Sequence, residues 1–221
     1  MADPVGLIFD LDGTLMDSAP DIHATANHVF ADEGFAPFDF ATVRGFIGNG
    51  VGSLVAQLMQ ARGLDATGPT QSRLVGKFIS FYEEAVDLTT LYPGVVTALD
   101  QLAAHHPMAI CTNKPEGPAL SVLRHFGLDR FFPHVIGGDS LPQRKPDPSP
   151  LLAAQTALGC DRILFVGDSE VDAETAARAN RPLLLYTEGY RKIPAEALGA
   201  KAIFSHYDDF PALVRSLTNP P

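Results

Sequence analysis

The stretch Val5-Gly-Leu-Ile-Phe9, followed at once by Asp10-Leu-Asp-Gly-Thr14, decides the fold. Val5 to Phe9 is a short, nearly continuous apolar run that stops abruptly at Asp10, Asp12 and Gly13, the pattern of a strand buried on both faces. Three later runs read alike: Met108 to Cys111, Ile163 to Val166 and Leu183 to Tyr186. Helical patterns lie between them, over Val95 to Ala104, Ala119 to Phe126, Pro150 to Leu158 with Ser149 as N-cap, and Val171 to Ala179. Strands alternating with helices predict crossover connections and an α/β fold built on a doubly wound parallel sheet.

One stretch breaks this alternation. From Asp17 to Asp87 the pattern is helical throughout, over Asp21 to Glu33, Thr42 to Phe46, Val51 to Arg62 and Thr70 to Asp87, with glycine-rich breaks between. The spacing predicts an all-helical domain over 17–87 inserted into a sheet domain made of 1–16 and 88–221.

The 221 residues suffice for a sizeable core, and the 46% hydrophobic and 19% charged composition is that of a folded globular chain. A formal charge of −10, with no basic cluster beyond pairs such as Arg191-Lys192, argues against nucleic-acid or anionic-membrane partners. No run approaches the ~18 apolar residues of a spanning helix, and Met1 to Gly6 has no cationic, apolar leader pattern. Cys111 and Cys160 are the only cysteines and Cys111 reads as a buried hydrophobe, so no disulfide framework is expected and the expected location is the cytoplasm.

Ligands of open parallel sheets bind beyond the carboxyl ends of the strands. There stand Asp10 and Asp12, then Thr112 and Asn113, then Gly167-Asp168-Ser169 with Asp172, while Lys145 lies in a Pro-flanked loop before a helix. Carboxylates crowded at one sheet edge repel unless a cation sits among them, and all-oxygen ligation suits Mg²⁺. With metal and Lys145 supplying positive charge, a small phosphorylated substrate can approach Asp10. Its carboxylate can attack phosphorus to form an aspartyl-phosphate, with Asp12 as acid and base and Thr112 donating to a phosphoryl oxygen. The acidic chain otherwise repels phosphate, so local cations must overturn the global field.

Asp10-Leu-Asp-Gly-Thr14, Thr112-Asn113, Lys145-Pro146 and Gly167-Asp-Ser-Glu-Val-Asp172, in that order and spacing, resemble the four motifs of the haloacid dehalogenase superfamily of phosphatases. The resemblance implies a Rossmann-like core, Asp10, Asp168 and the Asp12 carbonyl as Mg²⁺ ligands, and Ser169 and Asp172 supporting them from outside. It implies phosphate contacts from Thr112, Asn113 and Lys145, and a helical insertion that closes over the substrate. Asp17-Ser-Ala-Pro-Asp-Ile22, Ile47-Gly-Asn-Gly50, Tyr92-Pro-Gly94, Thr112-Asn-Lys-Pro115 and Gly137-Gly-Asp-Ser-Leu-Pro142 are similar to the phosphoglycolate phosphatase branch, which implies 2-phosphoglycolate as substrate.

Within the insertion, the helix starting near Val51, with Asn49 and Arg44 beside it, is a candidate receptor for a substrate carboxylate; a plain glycine turn is the other reading. Resembling phosphosugar mutases carry a histidine twelve residues after the nucleophile, where this chain has Ile22 and only then His23. A phosphonate hydrolase needs a Schiff-base lysine from the insertion, where Lys77 alone is available, and a non-catalytic regulatory module has no reason to keep the whole constellation. Gly167-Asp-Ser169 lacks the second glycine of a serine nucleophile elbow. Monomer and homodimer both remain open.

Overall fold

The computed structural model describes residues 4–218. In chain order its elements are β1 (Gly6–Phe9), β2 (Met16–Asp17), α1 (Ala19–Ala31), α2 (Phe40–Gly45), α3 (Gly50–Ala61), α4 (Gly68–Tyr82), β3 (Thr90–Leu91), α5 (Val95–Ala103) and β4 (Met108–Cys111). Then come α6 (Glu116–His125), β5 (His134–Ile136), α7 (Ser149–Leu158), β6 (Ile163–Gly167), α8 (Glu170–Ala179), β7 (Leu183–Tyr186), β8 (Ala202–Phe204) and α9 (Phe210–Thr218).

Six strands form a parallel sheet in the order β5-β4-β1-β6-β7-β8. The chain steps outward from β1 through β4 to β5, then crosses back to β6 on the other side, so the switch of direction falls between β1 and β6. Strand β1 is apolar at every position because it is covered on both faces. Leu7 and Phe9 enter one core with Ile110, Val166 and Leu184, while Ile8 points into the other with Ala109, Phe165 and Leu185. The register pairs Phe9 with Ile110 and with Val166, which brings Asp10, Thr112 and Asp168 to the same carboxyl edge.

Helices α1 to α4 fold around a third core of their own, built from Val29, Phe30, Val43, Val55, Leu58 and Phe78 among others, to which no sheet residue belongs. Each large apolar side chain fully buried there stabilises the insertion by roughly 1.5–3 kcal/mol. The chain leaves and re-enters through a two-stranded antiparallel neck, Met16 opposite Leu91 and Asp17 opposite Thr90. Asp21, in the first turn of α1, fastens that neck by accepting the Thr89 N–H at 2.7 Å and the Thr89 hydroxyl at 2.6 Å.

Several boundaries differ from the sequence reading. Helix α4 ends at Tyr82 rather than Asp87, because Val86 packs on the sheet core and not on the helical one. Ser149 is the first residue of α7 and not its cap: Asp147 accepts the Ser149 N–H at 2.8 Å and its hydroxyl at 2.5 Å, taking over the capping role. Edge strands β5 and β8 are three residues long and partly exposed, too short for an apolar run. Helix α9 closes the first core, with Phe210 edge-on to Phe9 at 5.9 Å between ring centroids. No helix among the described residues is long and apolar enough to cross a membrane.

Candidate active site

Asp10 leaves the end of β1 with its side chain buried, and Lys145 Nζ stands 2.9 Å from its Oδ1. The same ammonium donates to Asp172 Oδ1 at 2.7 Å. Asp172 Oδ2 accepts the backbone N–H groups of Asp168 and Ser169, at 3.2 and 3.1 Å, and the Ser169 hydroxyl at 2.7 Å. Both oxygens of Asp172 are therefore committed to holding Lys145 and the start of α8.

Asp168, at the end of β6, is fixed from both sides by the Thr14 hydroxyl on Oδ1 at 2.8 Å and the Tyr190 N–H on Oδ2 at 2.6 Å. It sits so close to the turn after β1 that a Cβ at Gly13, whose φ is +86°, would meet Asp168 Oδ2 at 2.6 Å. Only glycine suits that position, by conformation and by space.

Asp10, Asp168 and Asp172 each bring a carboxylate oxygen within 4.8 Å of the others, all three buried. Burial pushes the Asp10 carboxyl up to about 6; Lys145 opposes this, and Asp172 adds to it. Burial, then repulsion from Asp172 and Asp10, raises Asp168 well above the usual carboxylate range. For Lys145, burial acts downward, but Asp10 and Asp172 overturn it and hold the ammonium above its ordinary value. Asp10 Oδ1 is a buried oxygen without a directed hydrogen bond. Such a cluster, short of positive charge and made of oxygen donors alone, fits a hard divalent cation.

Asp12 lies over the pocket with Oδ1 held by the Ser18 hydroxyl at 2.6 Å and by Lys114 Nζ at 3.1 Å. Thr112 lines the same cavity, its hydroxyl oxygen accepting the Lys114 N–H at 3.2 Å. Asn113 lines that cavity as well. Its Nδ2 donates to the carbonyls of Lys145 and Gly48, both at 2.9 Å, so its amide sets the Lys145 loop and ties it to the insertion. The cavity, about 50 Å³, is walled on the opposite side by Ile22, Val51, Leu54, Phe78 and Tyr82 of the helical insertion.

The two insertion residues named from the sequence part company. Asn49 lines the side of the site shared with Asp168 and Ser169. Arg44 does not line the cavity: its Nη2 donates to the Gly189 carbonyl at 2.9 Å and its guanidinium lies over the Tyr190 ring at 5.1 Å. It fastens the insertion to the sheet domain. His23 is also turned away, bonded to the Phe38 carbonyl at 2.9 Å, while Ile22 faces the pocket. Lys77 pairs with Asp32 and Glu33 at 2.7 and 3.8 Å, away from the pocket.

Lys114 and Tyr190 were not singled out from the sequence. Lys114 is only 5% exposed, contacts the Tyr82 hydroxyl, and has its pKa lowered by burial against the pull of Asp12. Tyr190 braces the opposite flank, its hydroxyl accepting the Ser18 and Ala19 N–H groups at 2.9 and 3.0 Å. Both follow strand ends, Cys111 and Tyr186, so the rule that picked out Thr112 and Asp168 reaches them too.

The chain matches the family model described as haloacid dehalogenase-like hydrolase over residues 7–185. It is 49% identical over 214 residues to a phosphoglycolate phosphatase of Cereibacter sphaeroides, covering 96% of this chain and 98% of that one. It is 41% identical to the phosphoglycolate phosphatase of Rhodospirillum rubrum, covering 95% and 89%. Among solved structures it superposes with a TM-score of 0.88 on a predicted phosphoglycolate phosphatase from Haemophilus somnus 129pt, at 30% identity and covering 97% and 99% of the two chains.

Proposed function

Since the chain belongs to the haloacid dehalogenase-like hydrolase family and is a phosphoric monoester hydrolase of it, we propose that it converts 2-phosphoglycolate to glycolate and phosphate through an aspartyl-phosphate on Asp10. The observation that carries this reading is the meeting of Asp10, Asp12, Thr112, Lys145 and Asp168 at one sheet edge, beside a pocket whose far wall comes from the helical insertion.

Asp10 and Asp168, with the Asp12 carbonyl, would hold Mg²⁺. When bound, the ion neutralises the carboxylates and the phosphoryl oxygens, so that Asp10 is ionised at neutral pH. Lys145 supplies a fixed positive charge beside Asp10, and Asp172 keeps that ammonium in place. An Asp10 oxygen forms a bond to phosphorus while the ester P–O bond breaks. The leaving oxygen keeps the electron pair and takes its proton from Asp12. Asp12, now a carboxylate, removes a proton from water. The water oxygen attacks phosphorus, the Asp10 O–P bond breaks, and phosphate departs with Asp12 protonated again. Thr112 donates its hydroxyl to a phosphoryl oxygen, and Asn113 acts by holding the Lys145 loop.

The mutase reading is weaker, because the pocket meets Ile22 while His23 is bonded away within the insertion. The test is phosphate release from a panel of phosphomonoesters with Mg²⁺ and with EDTA, ranked by kcat/KM. 2-Phosphoglycolate leads if the reading holds. Absence of turnover on every ester favours a binding module, and an Asp10→Asn variant of undiminished rate refutes covalent catalysis by that residue.

A further inference from the structure

Lys114 is an ammonium in an unusual place. Among the described residues it is the one cationic side chain lining the cavity between Asp12, Thr112 and the insertion, and it is 5% exposed. Around it the insertion presents Ile22, Leu54 and Phe78, which offer a charged group nothing. Its one carboxylate partner is Asp12, at 3.1 Å; its remaining contact there is the neutral phenol of Tyr82, whose ring it also overlies at 3.7 Å.

A buried ammonium is costly unless anions face it, and Lys114 meets a carboxylate oxygen of Asp12, a phenol and apolar side chains, so it draws a further anion that enters this cavity. The phosphoryl group has a cation of its own in Lys145, 2.9 Å from Asp10. What lies beside Lys114 is whatever is attached to the leaving oxygen, since Asp12 must reach that oxygen to protonate it.

We propose that Lys114, braced by Tyr82, receives a carboxylate carried one carbon away from the ester oxygen, and so makes this enzyme selective for short α-phosphoryloxy carboxylates. The proposal rests on the phosphatase reading above and refines it. It moves carboxylate recognition from Arg44, which is engaged with Gly189 and Tyr190, to a lysine of the sheet domain. Tyr82 comes from the end of α4, so the receptor is complete only when insertion and sheet domain are together.

Binding can be measured apart from turnover. With Mg²⁺, calorimetry on Asp10→Asn protein compares 2-phosphoglycolate with ethyl phosphate, which has the same phosphoryl end and no carboxylate. With Lys114 present the first binds about 100-fold more tightly, and in Asp10→Asn/Lys114→Gln that ratio falls to about 3-fold or less. Lys114→Arg, which keeps the charge, retains part of the preference and guards against a fold defect in the glutamine variant. A ratio unchanged by Lys114→Gln, or no preference at the outset, overturns the proposal. Failure of the wild type to release phosphate from any ester brings down the phosphatase reading alone, because the binding ratio is read without chemistry.

Discussion

Lys145 Nζ and Asp172 Oδ1 form a 2.7 Å ion pair sealed from solvent, with side chains 1% and 0% exposed. The pair is the hinge of the site: Lys145 faces Asp10, while the other oxygen of Asp172 gathers the N–H groups that open α8. Removing Asp172 leaves buried Lys145 with Asp10 alone and takes the acceptor from the Asp168 and Ser169 N–H groups and the Ser169 hydroxyl. Asp172→Ala is expected to cost roughly 3–5 kcal/mol in urea unfolding and to lower kcat on every phosphomonoester. The double variant Asp172→Ala/Lys145→Met recovers part of the stability and none of the activity, which separates the electrostatic penalty from the catalytic one.

Asp10 gives a pH dependence whose sign is opposite to that of an ordinary salt-bridged aspartate. Burial raises its carboxyl from 3.8 in the unfolded chain to about 6 in the folded one. The folded state then binds the proton more tightly, so this contribution is fully present below the unfolded value and is lost as pH rises through the folded one. In EDTA, wild type is expected to lose about 3 kcal/mol relative to Asp10→Asn across that window, at ~1.4 kcal/mol per pKa unit. At the proposed site Mg²⁺ would take the place of the proton, so its stabilisation of wild type, followed by thermal melts, is expected to grow as pH rises over the same range.

The parts of this molecule that could be read from sequence are those where burial imposes a pattern. Strand β1 is covered on both faces, so its apolar run and sudden stop at Asp10 were legible, as were β4, β6 and β7. Strands β5 and β8 lie at the edges, where partial exposure erases the pattern. Within the site, residues that act by charge at a strand end could be found. The turning of Arg44 toward Gly189 could not, because a guanidinium's direction depends on how two domains meet, and no local spacing encodes that.

Arg44 now carries a prediction of its own. Its bond to the Gly189 carbonyl and its place over Tyr190 hold the insertion against the loop that supports Asp168. Arg44→Ala is therefore expected to lower kcat/KM for carboxylate-bearing and neutral phosphomonoesters by the same factor, about 10-fold, with the change mostly in KM. A loss confined to carboxylate-bearing substrates would restore Arg44 as their receptor.

Tyr190 supplies the sharpest structural test of the neck. Helix α1 has no cap from its own Ser18 side chain; the Tyr190 hydroxyl accepts the N–H groups of Ser18 and Ala19 and donates to Asp17 Oδ1 at 2.7 Å. A residue after β7 thus caps the first helix of the insertion, 171 positions away in sequence. Tyr190→Phe removes one oxygen and takes the acceptor from the buried Ser18 N–H, while the Ala19 N–H keeps Asp17 Oδ1 at 3.2 Å, so the expected cost is about 1–3 kcal/mol. Because Tyr190 also gives its N–H to Asp168, loosening its ring is expected to weaken Mg²⁺ binding by about 10-fold as well. Urea unfolding and a Mg²⁺ titration on the same variant check both. Loss of stability with unchanged Mg²⁺ affinity would confine Tyr190 to the neck, and loss of both would show that the neck and the carboxylate cluster are coupled through this one side chain.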